Sequence, residues 1–443
     1  MVIDLVQHLI KPGPAVKVAA QIERLVRDGR IEADALLPPV RDLAHALGVS
    51  PGTAAAAYKA LRTQGVVATD GRRGTRVLPR PSAREYMETP APAGTLDLMV
   101  ANPDPRLLPD LRPIFAAIRT TSDSYGGAHV EPQLLERMGA AFRADGIDAS
   151  HLVVTSGAIA TIYRALRACL APGDKVAVED PGFNEHHGSA RAHAMAPVPV
   201  AIDDEGMFPE ALSLALRGGA RAVILTPRLQ SPTGAAFSRA RAAALRDVLA
   251  QHPDVMVLVD DFSSLLSDVP YHDCLGKRRD RWLVVRSFNK AIAPDLRVGV
   301  AAADAETADR LAREQWLADG WVSIYLQRIA AAALASRKIG NLLRRARETY
   351  AQRRTSLIEA LARRGIPAHG ATGLNVWIPV PDEAATVRGM LGRGWCVRAG
   401  ARYRLRSAPA IRITIAELRP DRAEQLADDL RAVLSTGISG RAP

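Results

Sequence analysis

VVRSFNKAIAPDLRVG, residues 284–299, is the stretch on which the reading of the fold turns. An apolar run leads into a loop that sets Ser287, Lys290 and Arg297 close together in the chain. A lysine in a largely buried site is depressed in pKa and can form a Schiff base with an aldehyde. A serine hydroxyl and the fork of an arginine suit a phosphate dianion. An apolar strand ending in such a loop is also how an α/β sheet presents a ligand site.

Other such runs surround it: residues 152–156, 175–180, 221–227, 255–261 and 281–288, separated by stretches rich in Ala, Leu and Arg. Continuous apolar strands alternating with helices predict an α/β domain, its mostly parallel sheet covered on both faces. LVDDFSSLL puts Asp260 at the end of one run, where a carboxylate can keep a ring nitrogen protonated so that the ring acts as an electron sink. Asp261 beside it is expected to face solvent. TSGAIATIYRAL offers the backbone of residues 156–159 at a strand-to-helix turn for phosphate. EDPGFNEH supplies Phe183 as an aromatic face for a ring. One aldehyde and one phosphate on a small ring describe pyridoxal 5'-phosphate (PLP). His186-His187 reads as a loop pair with no metal, having no Cys or carboxylate at ligand spacing, and Trp377 reads as core.

The 443 residues suggest more than one domain. Hydrophobic residues at 48% and charged residues at 24% exclude wholesale disorder and fibrous classes. No apolar run reaches membrane-spanning length, the first residues lack a basic secretory signal, and Cys169, Cys274 and Cys396 lie far apart. A cytoplasmic protein is expected. Net charge is +11, and residues 1–80 alone hold 12 Lys and Arg against 7 Asp and Glu. That basic terminus suits phosphate-backbone binding and equally a solvated basic face. Four prolines in PRPSAREYMETPAPAGT mark a linker over 81–95, which divides a 1–80 module from a 96–443 domain.

Within 1–80, residues 15–30 predict a helix ended by Gly29, residues 40–47 a second that stops at Gly48, and Ser50 caps a third running through Tyr58 and Leu61. Residues 66–77 predict a two-stranded wing, its tip bringing Arg72, Arg73 and Arg76 within reach of phosphates or a minor groove. Two helices joined by a tight turn let the second project into a major groove. LPPVRDLAHALGVSPGTAAAAYKAL followed by RRGTRV resembles the winged helix-turn-helix of GntR-family regulators, with Pro39, Pro51 and Ala54 departing from the usual Ser, Arg and Val. The resemblance implies that Arg41, Ser50, Thr53 and Tyr58 face double-stranded DNA, with Arg72 and Arg73 on the wing.

Residues 96–435 resemble the fold-type I PLP-dependent aminotransferases, and the whole chain resembles the MocR subfamily of GntR regulators, which fuse the two. That resemblance implies Lys290 as the cofactor lysine and catalytic residue, Ser287 and Arg297 on the phosphate, backbone contacts from Ala158 and Ile159, and Phe183 stacked on the ring. It further implies Ser231 near the ring 3-hydroxyl, Tyr125 reaching the phosphate of a neighbouring subunit, and Arg412 on a substrate α-carboxylate. Where the family usually has a Tyr donor, this chain has Phe262. The site therefore reads as cofactor-holding but poorly tuned for turnover. Three readings stay open: a homodimeric regulator that binds promoter DNA and senses PLP or an amine or amino acid effector, a working aminotransferase with an accessory terminal module, and a regulator whose large domain is only a scaffold.

Overall fold

The computed structural model describes residues 8–63, 66–69, 74–77, 90–119, 121, 125, 127, 129–276 and 279–439. The chain divides into two compact units, residues up to Thr89 in the first and most of the remainder in the second. The wing tip with Arg72 and Arg73, and most of the expected linker, lie outside the described residues.

In the first unit α1 (Ala15–Arg27), α2 (Val40–Leu47) and α3 (Pro51–Thr63) pack around Val18, Ile22, Leu43, Leu47, Ala57 and Leu61. Gly48, at φ 60, ends α2 in the left-handed conformation that a side chain resists. The Ser50 hydroxyl then accepts the Thr53 backbone N–H at 3.0 Å, capping α3. Strands β1 (Leu36–Leu37), β2 (Val67–Thr69) and β3 (Thr75–Val77) form a three-stranded antiparallel wing, one strand more than the sequence predicts.

The second unit is built on an eight-stranded sheet. Its order is β5 (Leu152–Thr155), β12 (Gly299–Ala303), β11 (Trp282–Ser287), β10 (Met256–Asp260), β9 (Ala220–Leu225), β6 (Lys175–Asp180), β7 (Ala196–Asp203) and β8 (Gly206–Met207). The strands β6, β9, β10 and β11 run parallel, and β12, which the sequence reading passed over, runs antiparallel between β11 and β5. The middle strands are buried along their length, which explains why they read as unbroken apolar runs. A smaller three-stranded sheet of β13 (Asn375–Pro379), β16 (Ala410–Thr414) and β15 (Arg398–Ala399) carries Arg412, and Trp377 is buried there. Short β4 (Leu96–Asp97) pairs parallel with β14 (Trp395–Cys396). Among the described residues no helix is long and apolar enough to cross a membrane.

Candidate cofactor and ligand site

The carboxyl ends of the parallel strands open into a cavity of ≈ 300 Å³, in the range of small-molecule sites. Ala158, Ile159, Phe183, Ser231, Asp260, Phe262, Ser287, Lys290, Arg297 and Arg412 all line it, although they come from six separate stretches of chain. On the phosphate side, Gly157 (φ 98) precedes α5 (Ala158–Cys169), leaving first-turn N–H groups directed at the cavity. A Cβ at position 157 would meet Asn289 Nδ2 at 3.3 Å, Ser287 Oγ at 3.7 Å and Arg297 Nη2 at 3.9 Å. Helix N–H groups, a hydroxyl, an amide and a guanidinium thus surround one small hollow, a donor set suited to a phosphate dianion.

At the other end, Asp260 is 2% exposed at the end of β10. Its Oδ2 is 2.8 Å from His186 Nε2, while its Oδ1 has no partner. Burial disfavours the imidazolium, but the hydrogen bond and charge of Asp260, with the charge of Glu179, outweigh it and raise the His186 pKa. His186 belongs to α6 (Asn184–Ala192), is buried, and meets the Phe183 ring edge-on with centroids 5.4 Å apart. It therefore orients the carboxylate and corrects the loop-pair reading. Among the described residues no group of three His, Cys, Asp or Glu could hold a metal.

Lys290 stands between these ends. Burial first, then the positive charges of Arg412 and Arg297, bring its pKa down to about 8. Its Nζ donates to the Ala101 carbonyl at 2.5 Å. Arg412, 3% exposed, donates through Nη2 to the Met99 carbonyl and lies over the Tyr403 ring at 4.7 Å, with Nε unpartnered. The strap Met99–Asn102 therefore holds both cations through main-chain carbonyls. It is anchored just upstream, where Leu98 N–H donates to the Cys396 carbonyl at 2.8 Å and the Leu98 carbonyl accepts Thr414 N–H at 2.9 Å.

The unpartnered buried atoms Asp260 Oδ1, Ser231 Oγ, Asn289 Oδ1 and Arg412 Nε, with the hollow at Gly157, fit PLP and a carboxylate ligand. Asn289 and His186 were missed in the sequence. Asn289 stands beside Lys290 inside a stretch already singled out, whereas the partner of His186 is 74 residues away.

Two further expectations are corrected. Asp261 does not face solvent: it is 0% exposed, taking Arg228 Nε at 2.7 Å on Oδ1 and Arg286 Nε at 2.7 Å on Oδ2. Tyr58 does not face outward for DNA: it is buried, and its hydroxyl donates to the Pro38 carbonyl at 2.6 Å, tying α3 to the start of α2. Arg41, Ser50 and the half-buried Thr53 do lie at the surface. Tyr125, 88% exposed, lies outside its own chain's cavity and packs edge-on to Trp321 at 5.9 Å.

Residues 96–430 match the family model described as aminotransferase class I and II, and residues 14–77 match that of bacterial regulatory proteins, gntR family. The vitamin B6 salvage pathway transcriptional repressor PtsJ of Salmonella typhimurium is 39% identical over 432 residues, 96% of this chain and 100% of that protein. The pyridoxine biosynthesis transcriptional regulator PdxR of Corynebacterium glutamicum is 28% identical, with 78% of each chain covered. In fold, the kynurenine aminotransferase of Pyrococcus horikoshii superposes with a TM-score of 0.72 at 20% identity, over 78% of this chain and 92% of that one.

Proposed function

The chain belongs to the MocR subfamily of GntR-family transcriptional regulators, a PLP-binding aminotransferase-like domain joined to a winged helix-turn-helix, and from that premise we propose that its effector is PLP itself. The observation that carries this is the convergence of Lys290, the Oδ1 of Asp260 and the Gly157 hollow on one cavity. The vitamin B6 salvage role named for the 39% identical relative supports it. When bound, PLP supplies an aldehyde and an electron-withdrawing ring. Ser287, Arg297 and the first N–H groups of α5 would hold its phosphate. Asp260, oriented by His186, would accept from the ring nitrogen, and Phe183 would lie against the ring.

The strap would be the first element to respond to occupancy. Lys290 and Arg412 hold Ala101 and Met99 only while their own charges are otherwise unengaged. PLP brings an aldehyde to Lys290 but no carboxylate to Arg412, so PLP alone would free the Ala101 carbonyl while Arg412 keeps that of Met99. Upstream in sequence the strap leads through Leu98 and β4, held by β14, to residues 81–95 and the DNA-binding unit. Residues 1–80, 81–95 and 96–443 would then act as reader, tether and sensor. Tyr125, exposed beside Trp316 and Trp321, would be offered to a second copy in a cytoplasmic homodimer.

A second reading, a working aminotransferase, is favoured by the placement of Asp260, Lys290 and Arg412 in the same cavity. Against it, Phe262 lines that cavity without a donor, and each missing hydrogen bond to a charged group forfeits about 1.5–3 kcal/mol. Fluorescence anisotropy on DNA upstream of the protein's own gene, against a scrambled duplex and with and without PLP, tests the proposal. We expect preference for the native DNA and an affinity that changes with PLP. No preference at physiological salt would sink it, and amino-acid-driven turnover of the cofactor would favour the second reading.

A further inference from the structure

The outward face of the first two turns of α3 carries no charged or amide side chain, and that limits what it can read. Ala54, Ala57, Tyr58 and Leu61 are buried, and α3 packs on α1 and α2. Pro51, Gly52, Ala55, Ala56, Lys59 and Arg62 are exposed. At 3.6 residues per turn Gly52, Ala55, Ala56 and Lys59 share one face. The only side-chain hydroxyls at the start of the helix are those of Ser50 and Thr53. They lie 2.9 Å apart and share one hydrogen, and Ser50 Oγ also accepts Thr53 N–H, so together they retain a single donor.

A helix in this motif puts its N-terminal residues against base edges in the major groove. Bidentate reading of guanine or adenine there takes a guanidinium, ammonium or amide, reading cytosine takes a carboxylate, and a lone hydroxyl serves any base without choosing between them. An alanine methyl has one specific counterpart on a base edge, the C5-methyl of thymine. Small side chains also let the helix backbone approach the groove floor closely. Arg41 and Arg62, both exposed, can neutralise phosphates without contributing sequence information.

We propose that Ala55 and Ala56 are the specificity-determining residues of this helix, reading thymine methyl groups, so that each operator half-site carries thymines opposite the first two turns of α3. This rests on the DNA-binding reading above. It makes discrimination by the first two turns of α3 apolar, while the charged residues set affinity and its salt dependence.

The test begins with duplexes selected from a randomised library by the full-length protein in the presence of PLP. In the selected operator each thymine is replaced singly by deoxyuridine, which deletes only the C5-methyl, and binding is measured by anisotropy at fixed salt. We expect enriched thymines, and at two or more of them a loss of about fourfold in affinity per methyl, the effect of exposing one methyl-sized group. The salt slope should not change, because no phosphate contact is lost. Ala56→Ser should reduce the thymine-to-uracil ratio at one position. If that variant melts early, the deoxyuridine series on the unmodified protein still decides the matter. Uniform tolerance of deoxyuridine in an operator that outcompetes scrambled DNA overturns this inference but leaves the regulator reading standing. Failure to enrich any sequence overturns both.

Discussion

Lys290 shows how one buried side chain can set a working pH. With its pKa brought to about 8, the nucleophilic neutral amine is about one part in a hundred at pH 6 and half the population at pH 8. An ordinary exposed lysine would reach that half only above pH 10. The rate at which apo-protein captures PLP, followed by its absorbance, should therefore climb steeply from pH 6 to 8 and level off above about pH 9. A rate still rising tenfold per pH unit at pH 9 would show an unshifted lysine. Asp260 and Asp261 make a contrast at the same scale. Adjacent carboxylates at the end of β10 have separate tasks: one keeps an oxygen free for the cavity, the other has both oxygens taken by arginines.

At the level of elements, the Asp261 cluster ties the sheet to a helix. Arg228 follows β9 and Arg286 lies in β11. Both also reach Asp145 at the end of α4 (Pro132–Ala144), and the Arg286 guanidinium stacks 4.7 Å from the Phe142 ring. Removing the shared carboxylate would leave two buried guanidinium groups competing for a single partly exposed one. Asp261→Ala should cost about 3–5 kcal/mol, read as a large fall in the denaturant midpoint of the aminotransferase-like domain. A loss under about 1 kcal/mol would mean that water replaces the carboxylate. This cluster adjoins the site through the chain, since Asp261 directly follows Asp260 at the end of β10.

For the molecule as a whole, division into two compact units predicts two unfolding transitions in calorimetry. PLP should raise only the transition of the larger unit, by about 2.7 kcal/mol at one hundred times its Kd. Operator DNA should raise the smaller one. A single transition moved by both ligands would show instead that the two units unfold cooperatively.

Local pattern was enough to read the chain's architecture from its sequence. The helix-turn-helix follows from Gly48 and Ser50 at the break between α2 and α3. The α/β domain follows from buried strands that must be apolar on both faces. The Lys290 loop was legible because Ser287, Lys290 and Arg297 are close in sequence. What only the tertiary structure decided depends on partners distant in the chain. His186 acquires its role from Asp260, Asp261 is paired by arginines from β11 and from the turn after β9, and the carbonyls of Met99 and Ala101 come to Arg412 and Lys290 from the far end of the domain. Tyr58 was misjudged for the same reason, because the Pro38 carbonyl that takes its hydroxyl is brought close by the packing of α3 on α2. Propensity and periodicity act between near neighbours along the chain. Hydrogen bonds and burial depend only on distance in space, which the folded sheet sets.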